Sequence, residues 1–236
     1  MESWHQPHVE SLLVAEDETS FFDILHELVE QMGFDYYAFG MRLPLPVTKP
    51  QLVQHDNYPP AWSRPKAAVS ALLVGTAGTH GARSASPFVW SNDFPAAHLT
   101  FWDDAKAHGL KAGWGQACHG PMGISSVLNI ATADPELSLR QLDDLSPQLS
   151  WLTQAAHRRL STLLVPKYLP EARISLTQKE AEILRWTADG KTSSAIGRAL
   201  YISERTVNFH MEHILQKLAA PNKTAAALKA AMLGLL

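Results

Sequence analysis

Residues 176–236 constrain the fold more than any other stretch, because they spell out helix starts and stops at short range. Thr177 stands where an N-cap belongs, with Glu180 three residues on as a capping-box partner. The run from Glu180 to Trp186 follows with apolar residues at helical spacing. Asp189-Gly190-Lys191 then breaks the chain, and Gly190 is free to take the left-handed conformation that ends a helix. Ser193 to Leu200 predicts a short helix, Tyr201-Ile202-Ser203 a tight turn, and Glu204 to Leu218 a longer helix. Two helices joined by such a turn can place the second in the major groove of DNA. An ordinary helical domain is the plain alternative.

The pattern of the longer helix favours the groove. Val207, Met211, Ile214, Leu215 and Leu218 form one apolar stripe, which predicts the core-facing side. Arg205, Asn208, Phe209, Glu212, His213 and Gln216 fall on the other side. Ser203 is placed as N-cap, so the first amides of the helix can face a phosphate. Arg205 and Asn208 suit phosphates or base edges, and Glu212 can accept from a cytosine amino group. Phe209 either touches a thymine methyl or packs against a neighbouring helix. The expected DNA-contacting set is Lys191, Ser203, Arg205, Thr206, Asn208, Glu212 and Lys217.

Leu176-Thr177, Glu180, Gly190, Ile196, Leu200, Ile202-Ser203, Thr206-Val207, His210, Ile214 and Lys217-Leu218 together resemble the LuxR-type DNA-binding domain. The resemblance implies four helices, dimerisation through the last one, and a two-fold DNA site. Thr224 to Leu235 carries five alanines, with Leu228, Met232 and Leu235 as an apolar stripe. That helix is expected either to pair with a second copy or to pack only on its own domain.

The charge is uneven along the chain. From residue 171 onward nine Lys and Arg face six Asp and Glu, leaving eleven against seventeen before it, for a net of −3. An acidic front and a mildly basic tail fit a sensor joined to a nucleic-acid reader. A single cysteine, Cys118, excludes an internal disulfide and fits a reducing compartment. With no signal peptide and no apolar run of roughly 20 residues, the expectation is a cytoplasmic protein with no membrane contact.

The front part reads as helix, strands, helix, strands, helix. Thr19 to Met32 has helical period and ends at Gly33; Phe34 to Arg42 reads as a strand. Phe94 to His108 predicts a helix closed by Gly109. Lys111 to Cys118 and Ile124 to Ala131 predict a strand pair turned at His119 to Gly123. Leu137 to Leu164 predicts a long amphipathic helix, either continuous or broken near Pro147, and Val165 to Pro170 a stiff connector. The expected class is α+β: an N-terminal α/β/α sandwich around a mostly antiparallel sheet (1–164), a linker (165–175) and an all-α four-helix helix-turn-helix domain (176–236).

Gly33 to Tyr37, Phe39 to Arg42, Asn57-Tyr58-Pro59, Trp62, Pro87, Trp90, Trp102, Gly109 and Gly113 resemble the acyl-homoserine-lactone-binding domain of the quorum-sensing members of that family. The resemblance implies a pocket containing Tyr58, Trp62, Trp90, Trp102 and Asn129, with the Trp62 indole N–H on the lactone carbonyl. From residue type alone, these tryptophans would be core. One segment departs from the family. Lys66 and Ala71 stand at two tyrosine positions, and Gly75-Thr76 replaces the Asp-Pro whose carboxylate takes the ligand's amide hydrogen. An unmet amide in an apolar pocket costs roughly 1–3 kcal/mol. Either the segment serves another ligand, or none, or it records a compensated frame slip in the gene. Asn129 stands where the family has Ser or Thr facing the acyl carbonyl, and its amide can still donate.

Two rival functions are weaker. Leu12 to Glu18 resembles the first strand and acidic pair of a phosphorylated receiver, with Asp56 as acceptor, but the later receiver strands are missing. An enzyme lacks a nucleophile–base pair or a metal-spaced histidine set; Cys118 and His119, adjacent on a strand, point to opposite faces. The expectation is a non-enzymatic, homodimeric transcription activator without cofactor or metal. Its expected partners are double-stranded DNA, an acyl-homoserine lactone and RNA polymerase. A ligand-independent or degenerate regulator, or a response regulator with the same tail, is the alternative.

Overall fold

The computed structural model describes residues 6–58, 85–90, 107–133 and 139–236. The chain divides into two compact units. The first holds 1–43, 50–120 and 124–164; the second holds 165–236 with the short turns 44–49 and 121–123.

The first unit is built on a five-stranded antiparallel sheet in the order β2-β1-β5-β4-β3. Its strands are β1 (Tyr36–Leu43), β2 (Gln51–Asp56), β3 (Phe88–Trp90), β4 (Ala112–His119) and β5 (Ser125–Thr132). Around them come α1 (Gln6–Val14), α2 (Glu18–Gln31) and the long α3 (Leu139–Tyr168). α2 starts where Asp17 accepts from the Ser20 amide at 2.8 Å, completing a capping box. This hydrogen bond holds the Asp17 carboxyl below its ordinary pKa. Asp17 is thus a helix cap, Leu12 to Val14 are helical, and Asp56 ends an edge strand. None of the three sits as the receiver reading requires.

Three differences from the sequence expectations have physical causes. The edge strand β2 was not expected, because Gln51 to Asp56 is largely polar and partly exposed; its backbone pairing with β1 supplies the order. Strand β3 is only three residues long and is defined by its ladder to β4. α3 runs unbroken through Pro147 and Pro166, so the stiff connector is in part the last turn of a helix. Burial of Leu142, Leu149, Leu152, Ala156, Leu160 and Leu164 along one side outweighs the missing proline amides. The expected helix at 94–108 falls almost wholly outside the described residues.

Strand periodicity gives the sheet two different faces. Tyr37, Phe39, Met41, Trp114, Leu128 and Ile130 share one, all essentially inaccessible. α2 covers it through Phe22, whose ring meets Phe39 at 6.2 Å and stacks on His55 at 3.9 Å. α3 covers it through polar contacts: Trp114 Nε1 donates to Ser146 at 3.2 Å, Cys118 Sγ to Gln154 at 3.1 Å, and Ser126 Oγ pairs with His157 Nδ1 at 2.8 Å. Arg159 of α3 donates to the Ala15 carbonyl between α1 and α2.

The second unit contains α4 (Gln178–Ala188), α5 (Ser193–Leu200), α6 (Glu204–Lys217) and α7 (Lys223–Met232). Thr177 and Glu180 form the expected capping box, and Gly190 takes φ +78° after α4. Val207, Met211, Ile214 and Leu218 are buried as the stripe predicts and Leu215 is half-buried, joined by Ile183, Leu184 and Ile196.

Candidate functional site

The other face of the sheet is made of small side chains. Ala38, Gly40, Gly113, Gly115, Ala117 and Ala131 alternate with the large residues just described, and all are buried. Asn129 stands among them, opposite Ala38 on one side and Gly115 on the other. A Cβ added at Gly115 would run into Asn129 Oδ1 and the Phe88 ring. The glycine is therefore what lets a carboxamide stand at 129. Asn129 is 7% exposed and its Nδ2 has no hydrogen-bond partner among the described residues. A buried unpaired donor costs roughly 1–3 kcal/mol, which an acceptor supplied from outside the chain would relieve.

Tyr58 borders this face. Its ring packs against Ala38 and Val127 and stacks on Tyr36 at 5.5 Å and 18°. The preceding Asn57 holds it there: Asn57 Oδ1 accepts from the Tyr37 amide at 2.7 Å, and its Nδ2 donates to the Asp35 carbonyl at 3.0 Å. Asp35 is tied in turn to Thr132 and the Ala133 amide. Burial, with a smaller contribution from Asp56, raises the Tyr58 pKa well above the ordinary range, so the phenol stays a donor. Trp90 pairs with Gly113 at the end of β3, but its side chain lies outside the described residues, as do Trp62 and Trp102. Lys66, Ala71 and Gly75-Thr76 lie outside them too. The structure therefore brings Tyr58 and Asn129 to one sheet face. The small-residue alternation beside them was missed, because the alternating positions of Ala112 to His119 join those of β1 and β5 into one patch only once register is known.

On α6, Arg205, Asn208, Phe209, Glu212, His213 and Gln216 are exposed, as the stripe predicts. Ser203 caps the helix by accepting from the Thr206 amide at 3.0 Å, and the two hydroxyls pair at 2.8 Å. Phe209 is 53% exposed, and its ring lies against His210 and His213 of the same helix. Lys191 is exposed after α4. Lys217, at the far end of α6, places its ammonium 2.6 Å from the Glu180 carboxylate. Burial alone would raise the Glu180 pKa, but bonds from Lys217 and Thr177 outweigh it and lower the value. That ion pair gives Lys217 a role inside its own unit.

One residue of the α5–α6 elbow, Gly197, escaped the sequence reading, and Tyr201 lies in the turn it predicts. A Cβ at Gly197 would lie 2.7 Å from the Ile202 carbonyl, so glycine permits the close turn. A glycine within a short helix costs about 1 kcal/mol against alanine, and that cost was the available signal. Tyr201 ends α5 at φ +55° and is 96% exposed beside the start of α6.

Residues 17–160 match the autoinducer binding domain family, and residues 174–230 match the bacterial regulatory proteins of the luxR family. The chain is 35% identical to the transcriptional activator protein AnoR of Acinetobacter nosocomialis, over the full length of both. It is 36% identical to the quorum-sensing regulator RhlR of Pseudomonas aeruginosa, covering 93% of this chain and 91% of that one. Among solved structures, Escherichia coli SdiA superimposes with a TM-score of 0.74 at 30% identity, over 98% of this chain and 97% of that one. A second SdiA structure, in complex with octanoyl-rac-glycerol, gives 0.73 at 29%, over 97% and 93%. The chain belongs to the LuxR family of autoinducer-binding transcriptional regulators, with an autoinducer-binding domain and a helix-turn-helix domain. Its relatives are regulators, and no catalytic family is indicated. Among the described residues no helix is long and apolar enough to cross a membrane.

Proposed function

We propose that this LuxR-family protein is a cytoplasmic, ligand-dependent transcriptional activator that takes an N-acyl-homoserine lactone on the small-residue face of its sheet. The observation that carries the reading is the unpaired Nδ2 of Asn129, buried among glycines and alanines beside Tyr58. An acyl chain would fill the apolar space, and the carboxamide would donate to the acyl carbonyl. Trp62, Trp90 and Trp102 would complete the wall. Occupancy would stabilise the folded protein by mass action, favouring a homodimer that offers two α6 helices to a palindromic promoter site and engages RNA polymerase. α7, with Leu228 49% exposed, supports pairing through the last helix.

A second reading has its own observation. Gly75-Thr76 supplies no carboxylate for a ligand amide, and an acyl ester such as the acylglycerol held by SdiA has no amide hydrogen to satisfy. Anisotropy of a duplex enriched by the full-length protein, titrated with a lactone series and an acylglycerol series, separates the two. Tighter duplex binding with lactones supports the first reading; a response to acylglycerols alone supports the second; no response to either refutes ligand dependence. In the same assay Arg205→Ala and Asn208→Ala should each lose about 1–3 kcal/mol of duplex affinity with the fold intact. Unchanged affinity in both would remove α6 from base reading.

A further inference from the structure

Phe209 is the one large apolar side chain on the exposed face of α6, and 53% of it is open to solvent. Among the described residues its ring contacts are with two histidines of its own helix. Its ring rests on His213, one turn on, with centroids 4.3 Å apart at 54°, and meets His210 edge-on at 5.8 Å. The two imidazoles limit where the ring can swing. Around it, Arg205, Asn208 and Glu212 are all exposed and all able to form hydrogen bonds. A benzyl ring can neither donate nor accept. Set against an adenine, guanine or cytosine edge it would strip water from polar atoms and return nothing. The major groove offers one apolar feature, the 5-methyl group of thymine.

We infer that Phe209 is a specificity-determining residue that takes a thymine methyl at one mirrored position in each half of the DNA site. This rests on the DNA-binding reading of α6 above. Arg205, Asn208 and Glu212 then address neighbouring positions, and the apolar contact adds selection for thymine that none of them can supply. The ring needs no new pocket, because His213 already holds it on the outer face of the helix.

The test uses the full-length protein and a duplex that it enriches from a random pool. Each thymine of that duplex is replaced singly by uracil, which removes only the methyl group. One mirrored pair of replacements should weaken the wild type by about fourfold per half-site, the worth of one buried methyl-sized group. The same pair should leave Phe209→Ala unmoved, while Phe209→Leu keeps part of the penalty. The coupling between residue and methyl carries the result, so a general loss of affinity in one variant does not imitate it. Equal uracil penalties in wild type and Phe209→Ala at every position overturn the assignment. An altered oligomeric state in Phe209→Ala with unchanged duplex affinity also overturns it, in favour of a protein contact. Failure to enrich any duplex is a separate result: it refutes DNA reading by the chain, and the thymine assignment with it.

Discussion

The two faces of the N-terminal sheet are cut from the same strands and differ in almost every property. Tyr37, Phe39, Met41, Trp114 and Ile130 point to one side and are sealed under α2 and α3. Ala38, Gly40, Gly113, Gly115 and Ala117 point to the other, around an asparagine with an unpaired donor. Alternation along a strand lets one face carry the large side chains while the other carries small ones. The large face stabilises the fold whether or not a ligand is present. In the proposed reading a ligand completes the small face, which would make folding and ligand occupancy one linked equilibrium.

The sharpest way to break this contrast is to exchange the roles of the faces. Trp114→Ala removes the largest fully buried side chain among the described residues and its bond to Ser146. It should cost about 3–5 kcal/mol in denaturant unfolding, with or without ligand. A loss that lactone fully restores would show that the large face also serves the ligand. Gly115→Val pushes the opposite way, overfilling the small face against Asn129 and Phe88. About 1–3 kcal/mol of destabilisation is expected from overpacking, less than for Trp114→Ala.

Asn129→Ala sharpens the comparison at smaller scale. Without ligand it removes an unsatisfied buried donor, so unfolding stability should hold or rise slightly. With ligand the variant should lose about 0.5–1.5 kcal/mol of binding in calorimetry. Equal losses in the two states would make Asn129 an ordinary core residue.

The smallest effect concerns pH. Burial first, and the nearby His119 second, lower the pKa of His157, which pairs with Ser126 on the large face. Below the ordinary histidine pKa near 6.5 the unfolded chain binds a proton that the folded one resists. Stability should therefore fall as the pH drops from about 6.5 toward the lowered value, and be fully present above it. His157→Gln should flatten that slope in pH-dependent melting; an unchanged slope assigns it to another group.

How far these features could be read beforehand depended on the range of the forces that make them. Thr177, Glu180, Gly190 and the Ser193–Leu200 helix were legible because caps and helical period are set within a few residues. The outer face of α6 was legible for the same reason. Phe209 was readable as an oddity, but its stacking on His213 only from the structure. In the sheet, β2 gains its order from the adjoining strand β1 and β3 from β4 more than twenty residues on, which no local pattern of Gln51 to Asp56 or Phe88 to Trp90 discloses. The pairing of Gly115 with Asn129 belongs to the same class: each residue is unremarkable until register sets them side by side. Asn129 itself was found through family resemblance, and its unpaired amide only through burial.

The most direct test of the central claim is calorimetric titration of an N-acyl-homoserine lactone series into the folded full-length wild type and Gly115→Val. If the small face is the ligand's seat, the wild type should bind one lactone per chain. Folded Gly115→Val should then bind it at least tenfold more weakly, since crowding at 115 displaces the Asn129 donor and strains the apolar wall together. The same isotherm in both proteins, or no lactone binding by the wild type, would contradict the account.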